Sequence, residues 1–149
     1  MRVETNEVVD LIKPKFVVTN PAYTRVYLPG QRPARPSNSD EPAMRAYFPY
    51  VVIYPSRRFA SDIRRLSDDS SIWAFRVVTM AVGRTEGEVL YAEEKVAEAL
   101  EGARIVVNGY SSTPFHFESS APAEPDQDVE DLYTSSTAWT TVLTKQQAA

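Results

Sequence analysis

The stretch Ser71-Ile72-Trp73-Ala74-Phe75-Arg76-Val77-Val78-Thr79-Met80-Ala81-Val82, followed almost at once by Thr85-Glu86-Gly87-Glu88 and a helical run that stops at Gly102, decides the fold. Trp73, Phe75 and Val77 lie on one side of an extended chain and Ile72, Ala74, Val78, Met80 and Val82 on the other. Both sides are apolar apart from Arg76, so the pattern predicts a central strand. In Thr85-Glu86-Gly87-Glu88 the Thr85 hydroxyl can accept from the Glu88 amide while the Glu88 carboxylate returns to the Thr85 amide, which is how a helix start is capped reciprocally. Val89, Ala92, Glu93, Val96, Ala97 and Leu100 then form one mostly apolar stripe, with Glu94, Lys95, Glu98 and Glu101 left to water, and Gly102 supplies the left-handed stop.

Downstream, 103–107 reads as a strand and Asn108-Gly109 as a hairpin turn, because both central positions of a type I′ turn need positive φ. The return strand is 110–117, and Pro114 within it removes a ladder donor and argues for a sheet edge. A polar, acidic loop is expected over 118–131, then a closing strand over 132–144 with Tyr133, Trp139 and Leu143 on one side and Thr134, Ser136, Ala138 and Thr140 on the other. Residues 145–149 are expected to be a flexible tail. Upstream, 46–54 is aromatic and β-branched, with Pro49 and Pro55 marking a strand's entry and exit. Between this strand and the central one, Phe59, Ile63 and Leu66 recur at helical spacing among serines, aspartates and arginines, which suits a short helix or an irregular connection equally. The segment 29–42 holds four prolines with Gly30, Ser37, Asn38, Ser39 and Asp40 and is expected to be a loop. Before it, 22–28 alternates as a strand and 16–18 suits a brief one. Val8, Leu11 and Ile12 predict a short first helix that Pro14 ends. Two helices flanking otherwise consecutive strands give an α+β fold: a mixed or antiparallel sheet of about four to six strands with two helices packed on one face. The other face is left for solvent or a partner.

At 149 residues and 16.7 kDa the chain has the size of one domain spanning 1–149, able to bury roughly two-thirds of its extended surface without a staple. A composition of 43% hydrophobic and 24% charged residues excludes a wholly disordered or fibrous chain. Sixteen basic against twenty acidic side chains leave a net charge of −4, the wrong sign for general duplex binding. With no cysteine there is no disulfide, thiol nucleophile or cysteine-type zinc site, and His116 is the one histidine. The longest apolar run, 48–54, is far short of the roughly 18 residues a membrane span needs, and Glu4, Glu7 and Asp10 stand where a signal peptide would be basic and then apolar.

An enzyme is not expected. His116 has no nucleophile elbow near it, and Gly83-Arg84-Thr85-Glu86-Gly87 lacks the glycine spacing and lysine of a phosphate loop. Pro125-Asp126-Gln127-Asp128-Val129-Glu130-Asp131 has alternating carboxylates but neither the glycine nor the terminal glutamate of a calcium loop, so a solvated acidic segment accounts for it, and no metal or cofactor is expected. Charge is arranged in blocks instead. Arg57, Arg58, Arg64 and Arg65 form a basic cluster whose two pairs stand seven residues apart, hence on one side if helical. Glu118, Glu124, Asp126, Asp128, Glu130 and Asp131 form an acidic block, and Arg32 and Arg35 sit in the proline-rich loop. Two independently solvated surfaces would explain these blocks. So would complementary patches on neighbouring copies, which makes Arg57, Arg58, Arg64, Arg65, Asp126, Asp128, Glu130, Asp131, Arg32 and Arg35 the candidate interface residues. Tyr23, Tyr27, Tyr47, Tyr50, Tyr54 and Trp139 could serve as interface anchors or as core.

One family shares this pattern. Tyr47-Phe48-Pro49-Tyr50-Val51-Val52-Ile53-Tyr54-Pro55, then 75–85, then Ala92-Glu93-Glu94-Lys95-Val96-Ala97-Glu98-Ala99-Leu100-Glu101-Gly102, then Pro125-Asp126-Gln127-Asp128 and the closing strand, together resemble the tail terminator proteins of long-tailed bacteriophages with non-contractile tails. The resemblance covers about 3–144 and rests on element order and local similarity. It implies a structural virion protein whose copies form a six-membered ring on the head-proximal end of the tail tube. Its implied partners are further copies of itself, the tail tube protein and the head–tail connector or stopper protein, with viral DNA passing through the lumen without specific binding and no membrane contact. It implies no transferable chemical role for any residue. A head-completion or stopper protein of the same neck would share the size and the ring logic, and a small ligand-binding module would use the aromatics in a pocket instead.

Overall fold

Strand β3 (Ile72–Gly83) is hydrogen-bonded along both edges, the position its two apolar sides demand. In the computed structural model, which describes residues 10–18, 22–55, 72–107, 109–126, 129 and 131–145, β3 lies between the antiparallel neighbours β2 (Tyr50–Pro55) and β7 (Tyr133–Lys145). Beyond β2 lies β1 (Val26–Tyr27), paired in parallel. The far edge of β7 is shared: β5 (Tyr110–Ser112) takes one end, with β4 (Val106–Val107) outside it, and β6 (His116–Pro125) runs antiparallel along the rest. The fold is α+β and the sheet mixed, with the order β1-β2-β3-β7-β5-β4 and β6 as a seventh strand paired to β7.

Val107 stands opposite Tyr110, as the expected hairpin requires, and Gly109 has φ 81°, while Asn108 lies outside the described residues. The expected return strand over 110–117 is broken after Ser112. Phe115 leaves the ladder and instead bonds Ala103, its amide 2.8 Å from that carbonyl, and its ring is buried.

One face of the sheet is covered by helix α2 (Glu86–Leu100), whose Val89, Ala92, Val96 and Leu100 join Phe75, Val77, Trp139 and Leu143 in the main core. A 3₁₀ turn (Lys13–Phe16), entered through helical residues 10–12, packs Ile12 and Phe16 into the same core, so the two anticipated helical segments do share one face. The α-helical residues end at 12, ahead of Pro14 as expected, but Phe16 is not in a strand: the chain tightens into 3₁₀ geometry, where an early proline loses no needed donor and its carbonyl still accepts from Val17 at 3.1 Å.

Three further differences have identifiable causes. The proline-rich loop ends at Asp40, not at Pro42: the Asp40 carboxylate accepts from the Ala43 amide at 3.2 Å and starts helix α1 (Glu41–Tyr47) with Pro42 in its first turn. This third helix lies on the opposite side of the sheet, where Met44 and Tyr47 cluster with Tyr50, Val52 and Val82. In α2, Thr85 accepts from the Glu88 amide at 3.1 Å as expected, but the Glu88 carboxylate turns to the amide of Arg84 at 3.0 Å, not to that of Thr85. Lys95 is buried rather than watered, its stem lying on the helix flank while the ammonium reaches Glu98 at 3.3 Å and the Tyr91 ring at 5.5 Å.

Candidate assembly surfaces

Three surfaces are built from the residues that sequence spacing marks as interface candidates and from others that it does not. The first is a cluster of arginines and aromatics at one end of the open face. Three contacts pin the 29–40 loop. Arg32 donates to the Tyr50 hydroxyl and lies over that ring at 5.0 Å, and the Tyr47 hydroxyl donates to the Pro33 carbonyl at 3.0 Å. The third contact is Arg35, which reaches Asp131 at 2.7 Å across 96 residues of chain. Arg35 and Arg84 both lie over the Phe48 ring, at 5.4 and 6.0 Å, and Arg84 pairs with Glu41 at 3.0 Å and Glu88 at 3.3 Å. Hydrogen bonds from Arg35 and Arg84 hold the Asp131 and Glu41 carboxyls below their ordinary range, and burial pushes the Tyr47 and Tyr50 phenols up.

The second surface is the remainder of the open face. Val78, Met80, Ser136, Ala138 and Thr140 are half-buried there with no helix over them among the described residues, and Arg76 projects from β3 to grip Glu118, the Nε–Oε2 distance being 2.9 Å. That pairing lowers the Glu118 carboxyl below its ordinary range. Two shallow grooves of about 300 and 250 Å³ meet at Met80, one toward β6 and one toward Leu28 and Tyr54.

The third surface is β6 itself. The expected acidic loop over 118–131 is strand through Pro125, and every residue of β6 except half-buried Ala123 is exposed. It bonds β7 on one side, and among the described residues nothing pairs its outer edge. Pro122, Pro125, Glu118, Glu124 and two register shifts blunt that edge, the devices by which sheet edges avoid indiscriminate pairing. His116 shares a 2.9 Å hydrogen bond with the Thr140 hydroxyl.

The ten sequence-marked charges therefore divide. Arg32, Arg35 and Asp131 belong to the first cluster, with Arg35 and Asp131 paired inside one chain. The Asp126 carboxylate accepts from the Val129 amide at 3.2 Å, closing the turn after β6. Arg57, Arg58, Arg64, Arg65, Asp128 and Glu130 lie outside the described residues, as does the expected helical spacing of Phe59, Ile63 and Leu66. Of the aromatics, Tyr23, Tyr47, Tyr50 and Trp139 are core, while Tyr54 is exposed. Sequence spacing misses the Arg84–Glu41 and Arg76–Glu118 pairs, which lie 43 and 42 residues apart. Among the described residues no group of three or more His, Cys, Asp or Glu could hold a metal ion, and no helix is long and apolar enough to cross a membrane.

The fold occurs in a known particle. A chain of the virion of a native gene transfer agent (GTA) particle superposes on this one with a TM-score of 0.60, covering 91% of this chain and 92% of that one at 13% sequence identity. At that identity the likeness is one of fold. No protein-family model and no curated protein matches the chain.

Proposed function

We propose that the chain is a structural protein of a phage-like virion and, within that class, a tail terminator: a single domain whose copies form a ring, six-membered by the sequence resemblance, on the head-proximal end of the tail tube. The observation that carries the reading is the fold shared with a gene transfer agent virion chain over 91% and 92% of the two lengths. A ring closes through heterologous contacts, so each subunit needs two unlike sides that fit each other. The sheet offers them: the two-residue β1 at one lateral edge, and β4 with the exposed β6 at the other. A terminator also needs one surface that binds the last tube ring and another that recruits no further tube subunit but receives the connector. The half-buried open face and the pinned 29–40 loop are unlike enough to serve those two ends. Arg57, Arg58, Arg64 and Arg65 act as steering and register groups between copies, DNA passes the lumen without specific contacts, and no catalytic step is assigned to any residue.

The test is tail length by electron microscopy when expression of this chain is blocked during particle assembly. Overlong or irregular headless tails are expected. Tails of normal length that fail to join heads would move the chain to the connector side, as a stopper, and normal infectious particles would overturn the virion reading.

A further inference from the structure

A groove of about 450 Å³ runs between the outer side of α2 and strand β6, on the face that α2 covers. Leu90 and Phe117 line it while remaining 59% and 53% exposed. Phe117 stands edge-on to Trp139, ring centroids 6.1 Å apart, so an exposed aromatic continues a buried one. Trp139 also lines the groove; it is 2% exposed, and its indole Nε1–H has no hydrogen-bond partner. A buried donor left unpaired is destabilising, and it points to an acceptor that arrives with a ligand. Glu93, Glu94 and Glu101 rim the groove, and none of them forms an ion pair among the described residues.

These features ask for an occupant with apolar side chains, positive charge at the rim and a free acceptor such as a main-chain carbonyl. A peptide segment with arginines set among apolar residues has all three. This chain carries one: Arg57-Arg58-Phe59 and Ile63-Arg64-Arg65-Leu66 place four arginines beside Phe59, Ile63 and Leu66. We infer that the α2–β6 groove is a self-assembly site that receives the 57–66 segment of a second copy. The acidic block of 118–131 is the poorer destination for those arginines, because Arg76 already engages Glu118, Arg35 engages Asp131 and the Val129 amide engages Asp126. The inference rests on the ring reading and deepens it by naming which surface of one subunit meets which segment of the next.

The chain has no cysteine, so single-cysteine variants report without background. Glu94→Cys and Arg58→Cys proteins are mixed, oxidised and resolved by native and denaturing mass spectrometry, with Arg104→Cys plus Arg58→Cys as the control for chance collision. The mixed covalent dimer is expected in the first mixture at a yield about tenfold above the control, as steered, specific contacts require. Assemblies that form normally without that link would overturn the groove assignment and leave the ring reading standing. Proteins that stay monomeric at every concentration, with and without tail tubes, would overturn both. A link formed within one chain of the Glu94→Cys/Arg58→Cys double variant would show that the groove takes its own segment, and would overturn the second-copy assignment. Independently, Glu93→Lys/Glu94→Lys should weaken self-association about tenfold, and adding Arg57→Glu/Arg58→Glu should restore it to within a few-fold; additive losses would also overturn the assignment.

Discussion

The two faces of the sheet are made from alternate residues of the same strands, yet they are different materials. Under α2, Phe75, Val77, Thr79 and Ala81 of β3 and Trp139, Thr141 and Leu143 of β7 are all buried. One residue along, Arg76 is exposed, Val78, Met80, Ser136, Ala138 and Thr140 are half-buried, and among the described residues only the end toward Tyr50 and Val82 is covered, by α1 and the arginine–aromatic cluster. Strand β3 does not produce this asymmetry by itself, since it is apolar on both sides apart from Arg76; the alternation of β7, with Trp139 and Leu143 under α2 and Ser136, Ala138 and Thr140 on the other side, and the placement of the helices together do. A long capped helix can cover a whole face, whereas a seven-residue helix covers one end.

The comparison breaks first, and most visibly, at β3. Phe75→Ala should cost about 3–5 kcal/mol, because the packed face cannot collapse around the lost ring. Met80→Ala, half-buried on the other face, should cost about 1 kcal/mol. Urea midpoints at constant slope measure both, and equal losses would erase the distinction between the faces.

A pH titration sharpens it. Tyr23, buried among the residues of the covered face, donates to the Pro49 carbonyl, and burial pushes its phenol up to about 12 against the opposing pull of Arg25. A folded-state pKa above the unfolded value of 10.0 means that the contribution is fully present below pH 10 and is lost as pH rises toward about 12. Stability should fall in that window by up to about 1.4 kcal/mol per pH unit, and Tyr23→Phe should flatten the fall. A Tyr23→Phe protein with an unchanged alkaline slope would assign the loss to other groups.

The smallest effect is expected on the open face. Ser136→Ala should change stability by no more than about 0.5 kcal/mol, while any effect on particle assembly would be read separately, by the yield of joined heads and tails. A larger stability loss would mean that this face is packed in the free chain.

The elements legible in the sequence are those whose signals lie within a few residues of one another. The apolar run of β3, the Thr85 cap and Gly102 stop of α2, the 108–109 hairpin and the alternation of β7 are all of this kind. Strand β6 is not. Glu118-Ser119-Ser120-Ala121-Pro122-Ala123-Glu124-Pro125 has no apolar alternation, and it is extended because β7 presents a free edge for it to pair with. Helix α1 did carry local signals, Asp40 at the cap and Pro42 in the first turn, but they sit inside a proline-rich stretch whose composition argues for a loop. Lys95 shows the limit of periodicity, which assigns a side chain to water by its charge and overlooks a stem long enough to be buried with its ammonium on Glu98.

The candidate surfaces divide in the same way. Blocks of like charge along the chain mark residues that carry charge, but not what each charge meets. Arg35 and Asp131 meet within one chain, Arg76 and Glu118 across the open face, and Glu93, Glu94 and Glu101 form no ion pair among the described residues while rimming a groove over the unpaired indole of Trp139. Backbone propensity, capping and turn chemistry act over one to five residues, so strand and helix identities are written locally. Which charge is neutralised, which edge is left open and which face is uncovered depend on segments 42 to 96 residues apart arriving side by side, and only the closed sheet brings them there.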